Sequence, residues 1–339
     1  MSVAPSSIPA VVTAGDRGAA RSIYGQSKLY LEIGDRPLVA HVVAVLQAVP
    51  EVSEVWLIGD AERLRGLFAP EEIRRELRKP LHIIDQFRNL YENVWESYRR
   101  LLPGAGDEGR NPEGADLDVR VLYLSGDLPF ATPLEISAFV RRSLELDCDY
   151  AMGLVTEESM EAFYPAAPGE PGIRMAYYNL REGRFRQSNL HLVRPANLGN
   201  RCYVQDMYEH RYQKQTGQII ALAWELLTSE RGGVRVLVYY LMMHVGSILD
   251  RNGFRNLADR VRRWIPMARI ERGVSELLRT KFRMVVTEAG GCGVDIDSEH
   301  DYEVAKLRFP EWEKAQLEAA AKVYGPRALP TDTEERSGD

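Results

Sequence analysis

The chain has 339 residues, 45% of them apolar and 27% charged, with a formal net charge of −6. That composition suits a soluble globular protein large enough for two domains, or for one α/β domain carrying an insertion. The acidic balance argues against a general nucleic-acid binder, which needs cationic surface to displace counterions from phosphates. Cys148, Cys202 and Cys292 form no CxxC pair, so neither a zinc site nor a disulfide framework is expected, and the compartment reads as reducing and cytoplasmic. No Lys or Arg precedes Arg17 and the apolar run 8–12 is short, so no secretory leader is expected. The longest apolar stretch, 236–249, is interrupted by His244, Gly246 and Ser247, and falls short of the roughly 18 residues of a spanning helix. This leaves room for peripheral membrane contact only.

Residues 1–7 read as a disordered start. The β-branched run 8–13 ends in Ala14-Gly15 and predicts a buried strand feeding a loop. Residues 29–33 suggest a short strand, after which Asp35 is expected to cap a helix with Pro37 in its first turn. Leu38, Val39, Val42, Val43, Leu46 and Val49 share one face of that helix. Strands are expected at 55–58 and 82–84, a charged helical stretch at 61–79, and a helix at 89–102.

Residues 103–118 are rich in Gly, Pro and acids and read as a surface loop. A strand at 120–124 follows. Thr132-Pro133-Leu134-Glu135 has the form of a capping box with proline at the first helical position. Another strand is expected at 150–155. The runs 173–180 and 185–193 predict a β-hairpin around residues 181–184.

Residues 203–280 are mainly helical in pattern, 282–286 return to strand, and 301–309 and 312–324 read as helices. The tail after Pro326 reads as disordered. The implied domains are a start at 1–7, an α/β core at 8–202, a helical insertion at 203–280, a return to the core at 281–325 and a tail at 326–339. The fold class is α/β: a mostly parallel, doubly wound, Rossmann-like sheet with a β-hairpin and a helical insertion. Ligands of such sheets bind at the carboxyl ends of the strands.

The stretch Thr13-Ala14-Gly15-Asp16-Arg17-Gly18-Ala19-Ala20-Arg21, followed by Ser27-Lys28, combines turn-forming glycines with three cations. Glycine lets backbone N–H groups approach an anion. On its own the pattern is equally an ordinary βα turn with solvated arginines. It is neither a Walker P-loop nor GxGxxG.

In wider context, the segment from Ile8 to Leu46 resembles the signature of the MobA-like NTP transferases, a nucleotidyltransferase family of glycosyltransferase-A-like fold. An apolar strand is followed by Ala14-Gly15-Asp16-Arg17-Gly18, Arg21, Lys28, and then Gly34-Asp35-Arg36-Pro37-Leu38. The chain departs at Asp16, where the family has its second glycine. An acid there is unfavourable beside a triphosphate unless it points away or meets a metal.

Further resemblances follow the first. Ser125-Gly126-Asp127-Leu128-Pro129 resembles the family's D-x-P element, whose aspartate holds magnesium, an ion content with few carboxylates plus phosphate oxygens. Gly293-Val294-Asp295-Ile296-Asp297 resembles the late D-I-D element. Asp295 and Asp297 alternate with Ile296 and would face one side of an extended segment; Asp297 is favoured as the second metal carboxylate, and Asp301 is expected to cap the next helix. By the same resemblance Gln86 would meet the base, Asn93 would orient its loop, and Asn189 would help hold the acceptor. For Gln86 and Asn93 helix capping and packing are equally good readings; His191 reads as structural.

The implied activity moves an NMP from an NTP to a phosphorylated small-molecule acceptor and releases pyrophosphate, with Mg2+ on Asp127 and Asp297 or Asp295. Residues 14–21, with Arg17 and Arg21, would grip the β- and γ-phosphates, and Lys28 would neutralise charge at the α-phosphate. Other readings are a nucleotide-sugar glycosyltransferase, which would usually show D-x-D, and a nucleotide-sensing protein without turnover, for which Asp16 speaks. A dinucleotide oxidoreductase would need the missing GxGxxG. Between 250 and 283 ten basic residues stand against four acids. This reads first as a packed insertion with a solvated charged face, and second as cover for a phosphorylated or lipid-like acceptor near a membrane surface. The residues name neither the base, the acceptor nor the oligomeric state.

Overall fold

A computed structural model describes residues 7–15, 22–200 and 233–325. The first strand, β1 (Ile8–Ala14), lies in the middle of an eight-stranded sheet. Two short pairs follow, β2 (Ser22–Ile23) with β3 (Gln26–Ser27), and β4 (Glu32–Ile33) with β5 (Arg36–Pro37). The main sheet then takes β6 (Val52–Gly59), β7 (Leu81–Asp85), β8 (Val121–Ser125), β9 (Tyr150–Thr156), β10 (Tyr178–Leu180), β11 (Gly183–Val193) and β12 (Phe282–Thr287). Its order is β12-β9-β11-β8-β1-β6-β7, with β10 on β11. In this sheet all neighbouring pairs are parallel except those made by β11, so β11 alone runs against its other described strands.

Strand periodicity explains the layers. Ala10, Val12 and Ala14 point into one core with the helix α1 (Leu38–Gln47), whose Val39, Val42, Val43 and Leu46 are buried there. Val11 points the other way, into a core with Ile58, Tyr123 and Tyr98 of the helix Leu90–Leu101. Helices therefore cover both faces, as a buried parallel sheet requires.

The other helices are α2 (Ala61–Leu67), α3 (Glu71–Glu76), α4 (Leu90–Leu101), α5 (Pro133–Glu145), α6 (Glu157–Met160), α7 (Gly233–Arg251), α8 (Arg255–Arg262), α9 (Met267–Leu278) and α10 (Glu299–Tyr324). α7 to α9 pack Tyr239, Met242, Met243 and Val261 onto Leu154, Leu180 and Phe185 at the hairpin end of the sheet. Among the described residues no helix is long and apolar enough to cross a membrane.

Several local expectations need correction. Residues 29–33 are not one strand: Lys28–Tyr30 form a 3-10 turn and only Glu32–Ile33 pair. Asp35 does not cap α1. It pairs with Arg36, and Pro37 takes the cap position without a side-chain bond. The stretch 61–79 is two helices, broken at Ala69-Pro70, where proline cannot donate a backbone hydrogen bond. The hairpin turn is Arg181-Glu182 alone, since Leu180 pairs with Gly183.

Thr132 accepts from the Glu135 amide at 3.3 Å, but the Glu135 side chain does not complete the box. It is buried and accepts from Thr287 Oγ1 and the Cys292 amide instead. Asp301 is not a cap either. Ser298 is, accepting from the Asp301 amide at 3.1 Å and donating to its carboxylate at 2.7 Å. The two expected C-terminal helices are one helix of 26 residues that runs through Pro310. Phe309 and Trp312, both buried on either side of it, hold that helix to Phe130 and Phe163.

Candidate functional site

The chain crosses from one side of β1 to the other between β7 and β8, so the switch point at which ligands of such sheets bind lies outside the carboxyl ends of β1 and β8. The Gly126 amide donates to the Thr13 carbonyl at 3.1 Å and ties those two ends together. A Cβ on Gly126 would lie 3.2 Å from Leu29 Cδ2, so Leu29, itself buried, packs directly on this turn. That anchor fixes the 3-10 turn whose first residue is Lys28.

Lys28 reaches between two carboxylates. Its Nζ pairs with Asp127 and, at 2.8 Å, with Asp297 Oδ1. The lysine side chain is 14% exposed and that of Asp127 4%. Burial would pull the lysine pKa down, but the charges of Asp127 and Asp297 outweigh it and hold the ammonium well above its ordinary range. The second oxygen of Asp127 accepts from the Ser125 hydroxyl. Two carboxylates on one lysine leave this trio one negative charge in excess.

Asp297 arrives on a segment clamped from three directions. Gly291 packs so closely that an added Cβ would lie 1.8 Å from the Phe130 carbonyl oxygen. Cys292 donates its amide to Glu135 at 3.0 Å. Ile296 donates to the Asp127 carbonyl at 3.3 Å, joining the two aspartate loops directly. Val294 and Ile296 are fully buried, and the aspartates between and after them go to different cations. Asp295 pairs with Arg186 at 2.5 Å, and Arg186 also donates to the Gly293 carbonyl at 2.6 Å. Burial raises the Asp295 pKa, against the pull of Arg186 and with the push of Asp127 and Asp297 nearby. Thus Asp297, not Asp295, shares a cation with Asp127.

Ala14 and Gly15 sit beside a second polar group. A Cβ on Gly15 would lie 2.9 Å from Gln86 Oε1 and 3.9 Å from Asn93 Nδ2, so the missing side chain lets both amides come close to the backbone. Gln86 and Asn93 are buried, and Asn93 Oδ1 accepts from the Phe87 amide at 2.6 Å, which fixes the loop after β7. Asn189 lies at the same end of the sheet. Leu190 pairs with Leu124, so Asn189 falls at the carboxyl end of β8. Its φ of 55° marks a register break in β11, and asparagine tolerates this left-handed backbone better than most residues. His191 bonds Tyr150 at 2.9 Å and Gln187 at 3.2 Å within the sheet. Asp16, Arg17, Gly18 and Arg21 lie outside the described residues.

Three contributors were not singled out from the sequence: Arg186, the Ser125 hydroxyl and the buried Glu135. A signal for the first existed. Two acids in the short apolar run 293–297 each need a cation, and Arg186 is the charge that interrupts the run 185–193. Glu135 gave none, because its spacing to Thr132 is explained by helix capping alone.

No family model matches the chain. A stretch of 123 residues, 36% of this chain, is 29% identical to the 2-C-methyl-D-erythritol 4-phosphate cytidylyltransferase of Chlorobium luteolum. The match spans about half, 48%, of that relative's length. Among solved structures, a hypothetical transferase from Thermus thermophilus superposes with a TM-score of 0.54 at 22% identity, over 87% of this chain and 99% of that one. The 4-diphosphocytidyl-2C-methyl-D-erythritol synthase of Anaerococcus prevotii gives 0.46 at 10% identity, over 90% and 99%. The chain has a Rossmann-like α/β fold, shared with the Thermus structure over 87% of its length.

Proposed function

We propose that this protein is a nucleotidyltransferase of MobA-like or cytidylyltransferase kind that moves a nucleoside monophosphate from a nucleoside triphosphate to a phosphorylated small-molecule acceptor. An oxygen of the acceptor phosphate attacks the α-phosphorus, the bond from that phosphorus to the β-phosphate oxygen breaks, and pyrophosphate leaves. The observation that carries the reading is Lys28 held between Asp127 and Asp297 at the carboxyl ends of β1 and β8. Such transfers need positioning and charge neutralisation more than covalent chemistry. The ammonium is buried and permanently charged, which suits it to charge building at an α-phosphate. The acceptor phosphate is already an anion, so no general base is required.

The donor set suits magnesium. Among the described residues no three His, Cys, Asp or Glu side chains gather into a cage, but magnesium asks for one or two carboxylates and takes its remaining oxygens from water and phosphate. Asp127 and Asp297 would hold it, and when bound it would neutralise phosphate charge and align the polyphosphate. Asp295, engaged by Arg186, then serves as support.

Residues 14–21 take the β- and γ-phosphates, with Arg17 and Arg21 as cations and Gly15 and Gly18 allowing close approach. Gln86 reads the base edge, Asn93 sets its loop, and Asn189 meets the acceptor. The similarity to an enzyme named as a cytidylyltransferase of a polyol phosphate makes CTP and a phosphorylated polyol the first pair to try. The test is pyrophosphate release with each NTP, magnesium and a panel of phosphorylated sugars and polyols. Release with one NTP and one acceptor class is expected. Nucleotide binding with no pyrophosphate under any acceptor would contradict the reading and favour a sensing protein.

A further inference from the structure

Helices α7 to α9 carry a surface that the Lys28 centre does not use. Thirteen large apolar side chains are exposed among the described residues, and seven of them lie between 238 and 264. Such clustering on a small part of the chain marks an interaction surface, since single exposed apolar residues are ordinary. On α7 they are Val238, Leu241, Val245 and Ile248, between 46% and 58% exposed. Their spacing of three, four and three residues puts them on one stripe. The core accounts for a different side of this helix, where Tyr239, Met242 and Met243 meet Leu154, Leu180 and Phe185, and Gly246 meets Asn179 and Val261. Phe254 and Leu257 of the next turn and helix extend the exposed set, and Trp264 is 70% exposed.

The charge around them is predominantly basic. Asp250 and Asp259 are drawn inward by Arg184, Arg255 and Arg262. Glu271 accepts from the Met284 amide at 2.8 Å. Arg260, Arg263, Arg269 and Arg272 are exposed, and Glu276, beside Arg269 and Arg272, is the exposed acid of this stretch. A chain of net charge −6 thus presents an apolar and basic face here. Two copies of a basic face repel each other, so the complementary occupant is an anionic one with an apolar interior.

We propose that the α7–α8 face docks on an anionic lipid surface. The stripe on α7 and Trp264 enter the boundary between headgroups and acyl chains, and Arg260 and Arg263 meet lipid phosphates, with no helix of the described residues spanning the bilayer.

The experiment is co-sedimentation of the full chain with vesicles of pure phosphatidylcholine and with vesicles containing phosphatidylglycerol. Binding to the second kind only, released by high salt, is expected. Leu241→Ser/Ile248→Ser and, separately, Arg260→Glu/Arg263→Glu should each weaken it about tenfold or more. Neither pair should move the melting temperature without vesicles, because the substituted side chains are exposed. The proposal is overturned by no binding to phosphatidylglycerol vesicles, by equal binding of both variants, or by a dimer that Leu241→Ser/Ile248→Ser dissociates. A clear loss of melting temperature in that variant would also overturn it, by showing that the stripe packs within the protein.

Discussion

Lys28 and its two aspartates form a coupled unit, so their substitutions should not add. Removing the lysine takes the cation they share from Asp127, almost wholly buried, and Asp297. Breaking a buried pair from one side typically costs about 3–5 kcal/mol. Lys28→Met alone should therefore destabilise strongly in urea unfolding, and Lys28→Met/Asp127→Asn by clearly less than the sum of the single changes. Additive losses would mean that the three side chains do not act together. Arg186 supports the same loop from behind by bridging Asp295 and the Gly293 carbonyl. Lysine has one point charge where arginine has a planar fork, so Arg186→Lys should keep the fold and still lower kcat of pyrophosphate release. Unchanged kcat in Arg186→Lys would make that bridge irrelevant to the site.

At the scale of elements, the candidate site depends on two turns pressed together. Gly291 has no room for a side chain against the Phe130 carbonyl. Gly291→Ala must push the 291–297 segment away from the loop after β8, and with it Asp297. A loss of about 1–3 kcal/mol is expected, accompanied by a loss of activity that Gly66→Ala, where a Cβ meets nothing, does not show. The strands and helices around these turns were legible in the sequence because apolar periodicity reports burial: β1, α1 and β8 come out within a residue or two. Errors fell where side chains choose between local partners. Asp35 could cap a helix but has Arg36 adjacent; Asp301 could cap but has Ser298 three residues before it. Proline breaks at Pro70 but is carried through at Pro310, where Phe309 and Trp312 bury enough surface to hold the helix. Tertiary packing decided that difference, and local propensity does not contain it. In the site, motif order pointed to Lys28, Asp127 and Asp297, whereas Arg186 and Glu135 contribute through contacts across more than 100 residues.

For the whole molecule, the buried Glu135 ties stability to pH. Burial raises its pKa from about 4.5 to about 7, although bonds from Cys292 and Thr287 oppose the rise. The folded state therefore holds a proton that the unfolded chain releases near pH 4.5. Stability should fall as pH climbs from about 4.5 to about 7 and level off above that, by about 3 kcal/mol at most from this group. Glu135→Gln keeps the shape and removes the titration, so its melting temperature should vary less across the window. An identical slope in the variant would show that other groups set it.

The doubly wound sheet brings the ends of β1 and β8 together with the late 291–297 segment, and the functional reading rests on that meeting. The most direct measurement is pyrophosphate release with CTP or another NTP, magnesium and phosphorylated acceptors, in the parent and in Lys28→Ala and Asp127→Ala. The parent should release pyrophosphate in an acceptor-dependent way, and each variant should lose at least about a hundredfold in kcat. Full rates in both variants, or no acceptor-dependent release by the parent, would contradict the assignment of this centre to nucleotidyl transfer.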